Sequence, residues 1–508
     1  MHNPSRFFPL LSLLFAAACN EDQPATAPTS PAAENAASTA ASHLIVNSLA
    51  DPGNGVCNAQ ECTLREAIEN AGSTTITFAS GLSGTITLAR PGAGGGTLLI
   101  DKVLSISGPS GRVTIMRRST DPAFRLLTID GQGVVNLTNL TLRNGKTDRP
   151  GAGIINFGTL TLTKCSVTGN TTTQHGGGID NHGPLTLNNS TVVQNSAGSG
   201  GGGIDNHSKV VKLTNSSVTD NSGSGILNGG GRLQMTGGEV SRNSLGGIQQ
   251  NFGKAFLNRI KIVGNSSSGI INHQGVVSLA NSTVRLNSSS QGAGVFNSAG
   301  GFVSVVGSTI SSNSASELGG GIRNTVHDPF GRLSAEVEVI NSTVSGNSAP
   351  IGGGIENSDF LGGAGVRIVN STIARNSASS EGGGVRNEDT EEDADQSNSV
   401  LIINSLVALN TAPTAPDVAD GFARFSLIGK GAGSGISNTS GNQVGTSGSP
   451  INPRIGPLAN NGGPTRTHAL LVGSPAIDAG SAADCPATDQ RGVSRPRGTG
   501  CDIGSFER

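Results

Sequence analysis

The stretch GGGIDN at residues 176–181 decides the fold, because the chain repeats it at regular intervals. It recurs unchanged at 201–206 and as GGGIEN at 352–357. Each copy closes with a Val or Ile that stands three places before a second Asn, as in Val192 and Asn195. Self-similarity at a fixed period indicates stacked structural repeats. The stretch 151–410 is therefore predicted to be a solenoid.

The period and the residue pattern indicate which kind of solenoid this is. In the middle of the array the opening Ile recurs as Ile204, Ile226, Ile248 and Ile270. This spacing of about 22 residues is within the range of solenoid repeats. Between the glycine run and the closing Asn, apolar residues alternate, as in Leu160 and Leu162 or Leu185 and Leu187. Period two is typical of a strand with one buried face. Helical repeats would need few glycines, whereas this chain has 76 Gly. We therefore predict an all-β fold, a right-handed parallel β-helix.

Two rows of Asn accompany the repeats. The first row follows the opening Ile and contains Asn156, Asn181, Asn206, Asn228, Gln250 as a substitute, Asn272, Asn297, Asn324, Asn357 and Asn387. The second row follows the closing Val or Ile and contains Asn170, Asn195, Asn221, Asn243, Asn265, Asn287, Asn313, Asn347, Asn376 and Asn410. We expect both rows to form side-chain ladders between coils and to adopt the left-handed backbone conformation at bends. The glycine run is expected to provide positive φ and close backbone approach at another corner.

Composition limits the classes of partner. The net charge is −2 and the Lys and Arg residues are scattered, so no basic stripe indicates nucleic-acid binding. The chain has no Trp and no Tyr. This absence counts against a sugar-binding platform built on aromatic stacking, although Phe could substitute at a few places.

The first 19 residues are predicted to be a secretory signal. A basic start precedes the apolar run 7–15, which is too short to span a bilayer, and small residues follow it. The sequence Ala16-Ala17-Ala18-Cys19 resembles the lipobox of bacterial lipoproteins. The resemblance implies that Cys19 is lipidated and becomes the mature N-terminus. The alternative is an ordinary signal peptide cut near Ala18, which would release a secreted protein.

The residue after the proposed lipidation site indicates a destination. Asn20, rather than Asp, follows the Cys, which by the sorting rule of such lipoproteins resembles an outer-membrane address. Residues 20–42 are rich in Ala, Pro, Thr, Ser and Glu and are predicted to be a disordered tether. The expected localisation is the cell outer membrane, on the periplasmic or the outer side.

A short amphipathic helix is predicted next, in CNAQECTLREA at 57–67. Thr63 and Glu66 stand in capping-box register, and Gly72 can end the helix. Its apolar face comprises Leu64, Ala67, Ile68 and Ala71. The stretch resembles the CSLREA domain, with Thr63 in place of the Ser. We assign 43–115 as an N-terminal cap, because an open β-helix end must be covered.

The remaining segments also carry resemblances. The repeats, within an array assigned to 116–430, are similar to those of polymorphic outer-membrane proteins, which are surface adhesins. The tail sequences GPLANNGGPT at 456–465 and GSPAIDAG at 473–480 resemble the choice-of-anchor Q domain of bacterial secreted proteins. We assign 431–508 as the C-terminal cap.

Cysteine spacing predicts two disulfides outside the cytoplasm, Cys57–Cys62 and Cys485–Cys501. Cys165 stands where other copies carry Ser, which predicts a buried free thiol. No Cys and His spacing fits a zinc site, and we assign no cofactor.

One pair of coils carries candidate chemistry. Asp180 and His182 recur as Asp205 and His207, so like side chains are expected about 4.8 Å apart. Two carboxylates with two imidazoles could share a proton or hold a metal. Alternatively, these are turn residues in two closely duplicated copies, and we assign neither a catalytic set nor a metal.

Two further charged groups are predicted to be structural. Arg323, Glu356 and Arg386 fall in one row and are expected to form a surface charge row. The acidic run 388–395 is expected to be a solvated loop rather than a calcium site.

Two functions of different classes remain open. The first is a lipid-anchored surface protein whose β-helix is a rigid, non-enzymatic scaffold for binding or adhesion. Its partners would be the membrane, through the lipid, and a surface glycan or a protein of a host or neighbouring cell. The second is a polysaccharide lyase or glycoside hydrolase that uses the Asp180/Asp205 face. A purely structural envelope component is a third possibility.

Overall fold

The computed structural model describes residues 42–72, 74–89, 96–327, 333–360, 363–388 and 399–508. The predicted signal with Cys19, and the tether apart from its last residue, lie outside the described residues. So do residues 389–395 of the acidic run. Among the described residues, no helix is long and apolar enough to cross a membrane.

The described chain forms a right-handed parallel β-helix of about 12 turns, which confirms the predicted fold class. One sheet of 28 strands wraps around two faces of the rod. The strands of its first face are Ser42–Val46, Thr74–Phe78, Val103–Ser107, Val134–Thr138, Thr159–Thr163, Leu185–Asn188, Val210–Thr219, Arg232–Ser241, Lys254–Asn258, Val276–Ala280, Phe302–Val306, Ser334–Ile340, Gly363–Val369, Ser399–Ile403 and Phe422–Arg424. Val210–Thr219 and Arg232–Ser241 continue into the second face, whose other strands are Gly84–Leu88, Val113–Arg117, Leu140–Arg143, Ser166–Thr168, Thr191–Val193, Lys261–Val263, Thr283–Arg285, Thr309–Ser311, Thr343–Ser345, Thr372–Ala374, Leu406–Ala408, Leu427–Ile428 and Gln443–Val444.

A sheet of 15 strands forms the third face. Its strands are Leu98–Ile100, Leu127–Ile129, Lys146–Thr147, Ile154–Asn156, Thr171–Thr172, Ile179–Asn181, Ser196–His207, Ser222–Gly229, Ile248–Asn251, Ile270–His273, Val295–Ser298, Ile322–His327, Ile355–Phe360, Val385–Glu388 and Val418–Ala419. A four-stranded sheet comprises Ser288–Gln291, Ser314–Leu318, Ser348–Ile351 and Ser377–Glu381. Near the C-terminus, Ile455–Ala459 and Thr467–Leu470 pair antiparallel.

The register places equivalent residues of successive coils on top of each other. Leu160 pairs with Leu185, which in turn pairs with Val211. On the third face Ile179 pairs with Ile204, and both are fully buried. Each such side chain contributes roughly 1.5–3 kcal/mol by leaving water. The alternation of apolar and polar residues therefore becomes a continuous apolar rod with polar outer faces.

Both predicted Asn ladders are present. In the second row, the Asn195 amide nitrogen donates to Asn221 Oδ1 at 3.1 Å, and the Asn195 backbone N–H donates to the same oxygen at 2.9 Å. In the first row, Asn181 Nδ2 donates to Asn206 Oδ1 at 2.7 Å. The rows are buried, so each amide satisfies groups that water does not reach. The ladders therefore fix the register between coils.

The expectation that these Asn residues adopt the left-handed conformation is wrong. Within the described part of the chain, positive φ occurs instead at the residue just before the second row, as in Gln194 at 57° and Arg242 at 51°. The ladder Asn must point inward, so its outward-facing neighbour makes the turn. Asn does adopt this conformation at another corner, between the first and second faces, as in Asn189 at 49° and Asn341 at 47°.

The glycine runs behave as predicted. The first glycine has positive φ, 67° at Gly176 and 64° at Gly352. A Cβ on Gly178, the third glycine, would lie 2.6 Å from the carbonyl oxygen of Gly203 in the next coil. Larger residues are thus excluded at both positions for different reasons.

The predicted helix is Leu64–Asn70, and it closes one end of the core. Thr63 and Glu66 form the capping box: the Thr63 hydroxyl accepts from the Glu66 N–H at 3.2 Å, and Glu66 Oε2 accepts from the Thr63 N–H at 2.8 Å. The predicted apolar face, Leu64, Ala67, Ile68 and Ala71, is buried in the same core as the first strands.

The C-terminal segment extends the rod and also covers its side. Gln443–Val444 stacks on Leu427–Ile428 as the last strand of the second face. The following residues fold back along that face, where Gln490 hydrogen-bonds to Thr309 and Thr343, at 3.1 and 2.6 Å. A second apolar core forms under this cover, from Ala374, Leu406, Ala408, Leu427, Ile455, Leu470, Ala476, Ile503 and Phe506.

Candidate functional site

The candidate residues stand on the third face, at the outward position between the buried Ile and the ladder Asn. Asp180 pairs in register with Asp205, so the two side chains lie on adjacent coils as predicted. The row continues through Leu227 and Gln249, which carry no charge. The acidic pair is therefore confined to two coils of this row.

Asp180 is surrounded by imidazoles. Its side chain is 0% exposed. Oδ1 lies 3.2 Å from His175 Nδ1 and 2.9 Å from His207 Nε2, and Oδ2 lies 2.9 Å from His182 Nε2. Both carboxylate oxygens are thus occupied by ring nitrogens from three positions of the chain.

Asp205 is also buried but has fewer partners. Its Oδ1 lies 3.3 Å from His207 Nε2, and its Oδ2 accepts from the backbone N–H of Gly201 at 2.8 Å. Its side chain is 4% exposed. His207 therefore stands between the two carboxylates and contacts both.

The imidazoles form the accessible surface of the cluster. The side chains of His175, His182 and His207 are 31–38% exposed. The rings of His182 and His207 stack at 4.3 Å between centroids, with an interplanar angle of 2°. Phe157 continues the stack one coil below, 5.0 Å from His182.

The surroundings shift the pKa values of the two carboxyl groups in opposite directions. Burial opposes ionisation of Asp180, but hydrogen bonds from His207 and His182 outweigh it and lower the pKa of Asp180. Burial raises the pKa of Asp205, and the Gly201 N–H offsets this only in part. The hydrogen bond to Asp180 raises the pKa of His207 against the effect of burial.

The sequence identified four of the five members of the cluster. Asp180, His182, Asp205 and His207 come together as their register predicted, whereas His175 was missed. It precedes the glycine run and aligns with Pro150 one coil below and Gly200 one coil above. A Cβ on Gly176 would lie 2.6 Å from that of Asp180, so this glycine lets the loop fold over the carboxylate.

One nearby cation is held away from the acids. Arg125 is close enough to interact electrostatically with Asp180. Its guanidinium, however, donates to the carbonyls of Gly151, at 2.7 Å, and Pro150. In the described part of the chain, no Lys side chain hydrogen-bonds or pairs with Asp180 or Asp205.

The row of Arg323, Glu356 and Arg386 was predicted to lie on the surface, and this prediction is wrong. Glu356 is 0% exposed and lies between Arg323, at 3.0 Å, and Arg386, at 3.6 Å. Burial raises the pKa of Glu356, although both guanidinium groups oppose the shift. The preceding loop, which turns at Gly352, covers the side chain, and this fold-over was not visible in the register alone. The row is an internal charge cluster.

The cysteines pair as predicted. Cys57–Cys62 and Cys485–Cys501 are disulfide-bonded. Cys165 is buried and unpaired, and its Sγ approaches the carbonyl of Leu137 as Ser190 Oγ approaches that of Leu162. Its thiol thus replaces a structural hydroxyl.

Comparisons with known proteins find a structural similarity but no matching family model and no matching curated sequence. No protein-family model matches the chain, so the resemblances to CSLREA, choice-of-anchor Q and polymorphic outer-membrane proteins stay predictions. No curated protein matches it either. Among solved structures, the crystal structure of pectate lyase Pel9A is similar, with a TM-score of 0.33 and 13% identity over 92% of this chain and 98% of that chain. This distant likeness transfers no activity or substrate.

Proposed function

We propose that the chain is a lipid-anchored protein of the cell outer membrane whose β-helix is a rigid scaffold for binding or adhesion, without catalysis. The anchor would be Cys19, and the partner a surface glycan or a protein of a host or neighbouring cell. The observation that carries the proposal is the burial of the acidic pair. Asp180 is inaccessible and both its oxygens are occupied, so a substrate cannot reach the group that would have to protonate or attack it.

The rigidity of the rod supports the same function. Asn side chains link coil to coil through both rows, for example from Asn221 to Asn243 at 3.0 Å and on to Asn265 at 3.0 Å. The outward positions of the first face hold polar side chains in register, such as Thr161, Thr186 and Lys212. A partner would meet a surface whose side chains are already ordered, which lowers the entropic cost of binding.

One observation favours the rival function, polysaccharide cleavage by a lyase or hydrolase on the same face. The pKa of Asp180 is lowered while that of Asp205 is raised, and surroundings that push the pKa values of two carboxyl groups apart are typical of acid–base pairs. The geometry opposes this function, because Asp205, the candidate acid, is itself buried.

A depolymerisation screen separates the two functions. The full-length protein and Asp205→Ala are incubated with a panel of acidic and neutral polysaccharides, and new reducing ends and unsaturated uronates are measured. Asp220→Ala, a half-exposed Asp paired with Arg242 on a neighbouring coil, is the matched control. The proposal expects no cleavage by any of the three. Cleavage by the wild type and the control that Asp205→Ala abolishes would establish the rival.

The anchor and the scaffold are tested separately. Metabolic labelling with palmitate is expected to mark the wild type and not Cys19→Ala. An unlabelled wild type would refute the anchor.

On a glycan array and in cell-adhesion assays, the scaffold proposal expects binding that survives Asp205→Ala. Absence of binding in both assays would refute the scaffold proposal.

A further inference from the structure

Four side chains of the third face bring their donor atoms together. One ring nitrogen each of His175 and His207 and one oxygen each of Asp180 and Asp205 lie within 4.8 Å of one another. The close pairs are separated by 2.9, 3.2 and 3.3 Å. Around an ion with bonds of about 2.0–2.2 Å, adjacent ligand atoms lie roughly 2.8–3.6 Å apart, depending on whether the geometry is octahedral or tetrahedral. The three close pairs fall within this range.

The second oxygen of each carboxylate is fixed by a different group. His182 holds Oδ2 of Asp180 at 2.9 Å, and the Gly201 N–H holds Oδ2 of Asp205 at 2.8 Å. The Oδ1 atoms of both carboxylates are thereby left facing the same nitrogen, Nε2 of His207. Such outer hydrogen bonds are what orients carboxylate ligands in metal sites.

The charge of the cluster also favours a cation. Two carboxylates on adjacent coils are buried, and the nearby Arg125 is bound to backbone carbonyls. Burying two like charges is costly unless a cation lies beside them. A divalent ion bound by the imidazole nitrogens and the carboxylate oxygens would balance both carboxylates.

We propose that His175, Asp180, Asp205 and His207 bind one divalent transition-metal ion. The site goes beyond the scaffold function and does not depend on it. Two imidazole nitrogens with two carboxylate oxygens suit Zn²⁺, Mn²⁺, Fe²⁺ or Co²⁺, whereas Mg²⁺ and Ca²⁺ prefer oxygen ligands throughout. The half-exposed imidazoles provide the entry path for the ion.

Titration with Zn²⁺ tests the proposal on the full-length chain without an affinity tag. The protein is stripped with EDTA, dialysed and titrated by calorimetry, with Ca²⁺ in a parallel arm. We expect one Zn²⁺ per chain with a dissociation constant in the micromolar range or below, and no heat from Ca²⁺. The thermal midpoint should rise with Zn²⁺ as well, because an ion that binds the folded state stabilises it.

The chain offers a matched control for the ligand variants. His273 occupies the same position as His207 three coils further on, but its ring contacts Ser298 instead of a carboxylate. His207→Ala is expected to weaken Zn²⁺ binding by at least about 100-fold, and His273→Ala to leave it unchanged. Asp205→Asn keeps the shape of the side chain and should also weaken binding, which covers the case in which His207→Ala does not fold.

Each outcome decides the proposal. Binding of one ion that His207→Ala and Asp205→Asn lose, with circular dichroism unchanged in at least one of them, supports the site. No binding to the wild type at millimolar Zn²⁺ overturns it. Equal binding by the wild type and both ligand variants also overturns it, because the ion would then be held elsewhere.

Discussion

Replacing Asn265 by Ala tests whether the amide ladder stabilises the rod. Asn265 is buried in the second row. Its Oδ1 accepts from the backbone N–H and the Nδ2 of Asn243, both at 3.0 Å. Its Nδ2 donates to Asn287 Oδ1 at 2.9 Å and to the Val240 carbonyl at 3.3 Å. The substitution removes all four hydrogen bonds.

The expected loss of stability follows from the number of hydrogen bonds removed. At a net contribution of about 1 kcal/mol each, four hydrogen bonds amount to about 4 kcal/mol, and the orphaned amide of Asn243 makes the loss no smaller. Guanidinium unfolding followed by circular dichroism measures the change. Ser266→Ala is the control, because the neighbouring Ser266 is exposed and should change stability by less than about 0.5 kcal/mol.

Hydrogen exchange localises the effect. In Asn265→Ala the backbone N–H of Asn243 loses its acceptor and should exchange faster, whereas that of Asn347, whose acceptor is Asn376 Oδ1, should not change. A loss below about 1 kcal/mol, with unchanged protection at Asn243, would refute the stabilising role of the ladder.

Three further predictions concern other parts of the rod and its tail. Gln250→Asn should stabilise the protein by roughly 1–2 kcal/mol in guanidinium unfolding, because the first row is interrupted at Gln250 and the buried Oδ1 of Asn272 lacks a partner among the described residues; a destabilised variant would contradict this. Burial raises the pKa of Asp417 to about 6, so the folded state binds the extra proton and this contribution to stability is lost as pH rises from about 4 to 6. The wild type should therefore lose about 2 kcal/mol relative to Asp417→Asn between pH 4 and pH 6.5, and parallel pH profiles of the two unfolding midpoints would exclude the shift. Replacing both Cys485 and Cys501 by Ser should cost about 3 kcal/mol, since the disulfide spans 16 residues, and limited proteolysis should then cut the tail first; unchanged resistance would contradict it.

Much of the fold was predictable because the repeats determine which residues pair between successive coils. The alternation at Leu160 and Leu162 determines which side chains enter the core, and the coil length places Asp180 beside Asp205. The second-row Asn residues were found for the same reason. All of these residues lie on or beside strands, where the repeat period alone determines which residues of successive coils are neighbours.

What the sequence did not show depends on the loops between the strands. His175 has no equivalent in the adjacent copies, and only the folded loop brings it to Asp180. The burial of Glu356 arises in the same way, from the loop over it. The position of the tail along the second face rests on contacts such as His468 with Ser345, which no repeat pattern encodes.

A distance measurement tests the stacking most directly. Lys212 and Arg367 are exposed on the first face and are separated by six coil steps of continuous register. At about 4.8 Å per coil, their backbones lie about 29 Å apart. Spin labels at Lys212→Cys and Arg367→Cys, in a Cys19→Ala/Cys165→Ser background, report this distance by pulsed electron paramagnetic resonance. A single distribution centred near 29 Å is predicted, and a centre more than about 8 Å away would contradict the parallel β-helix.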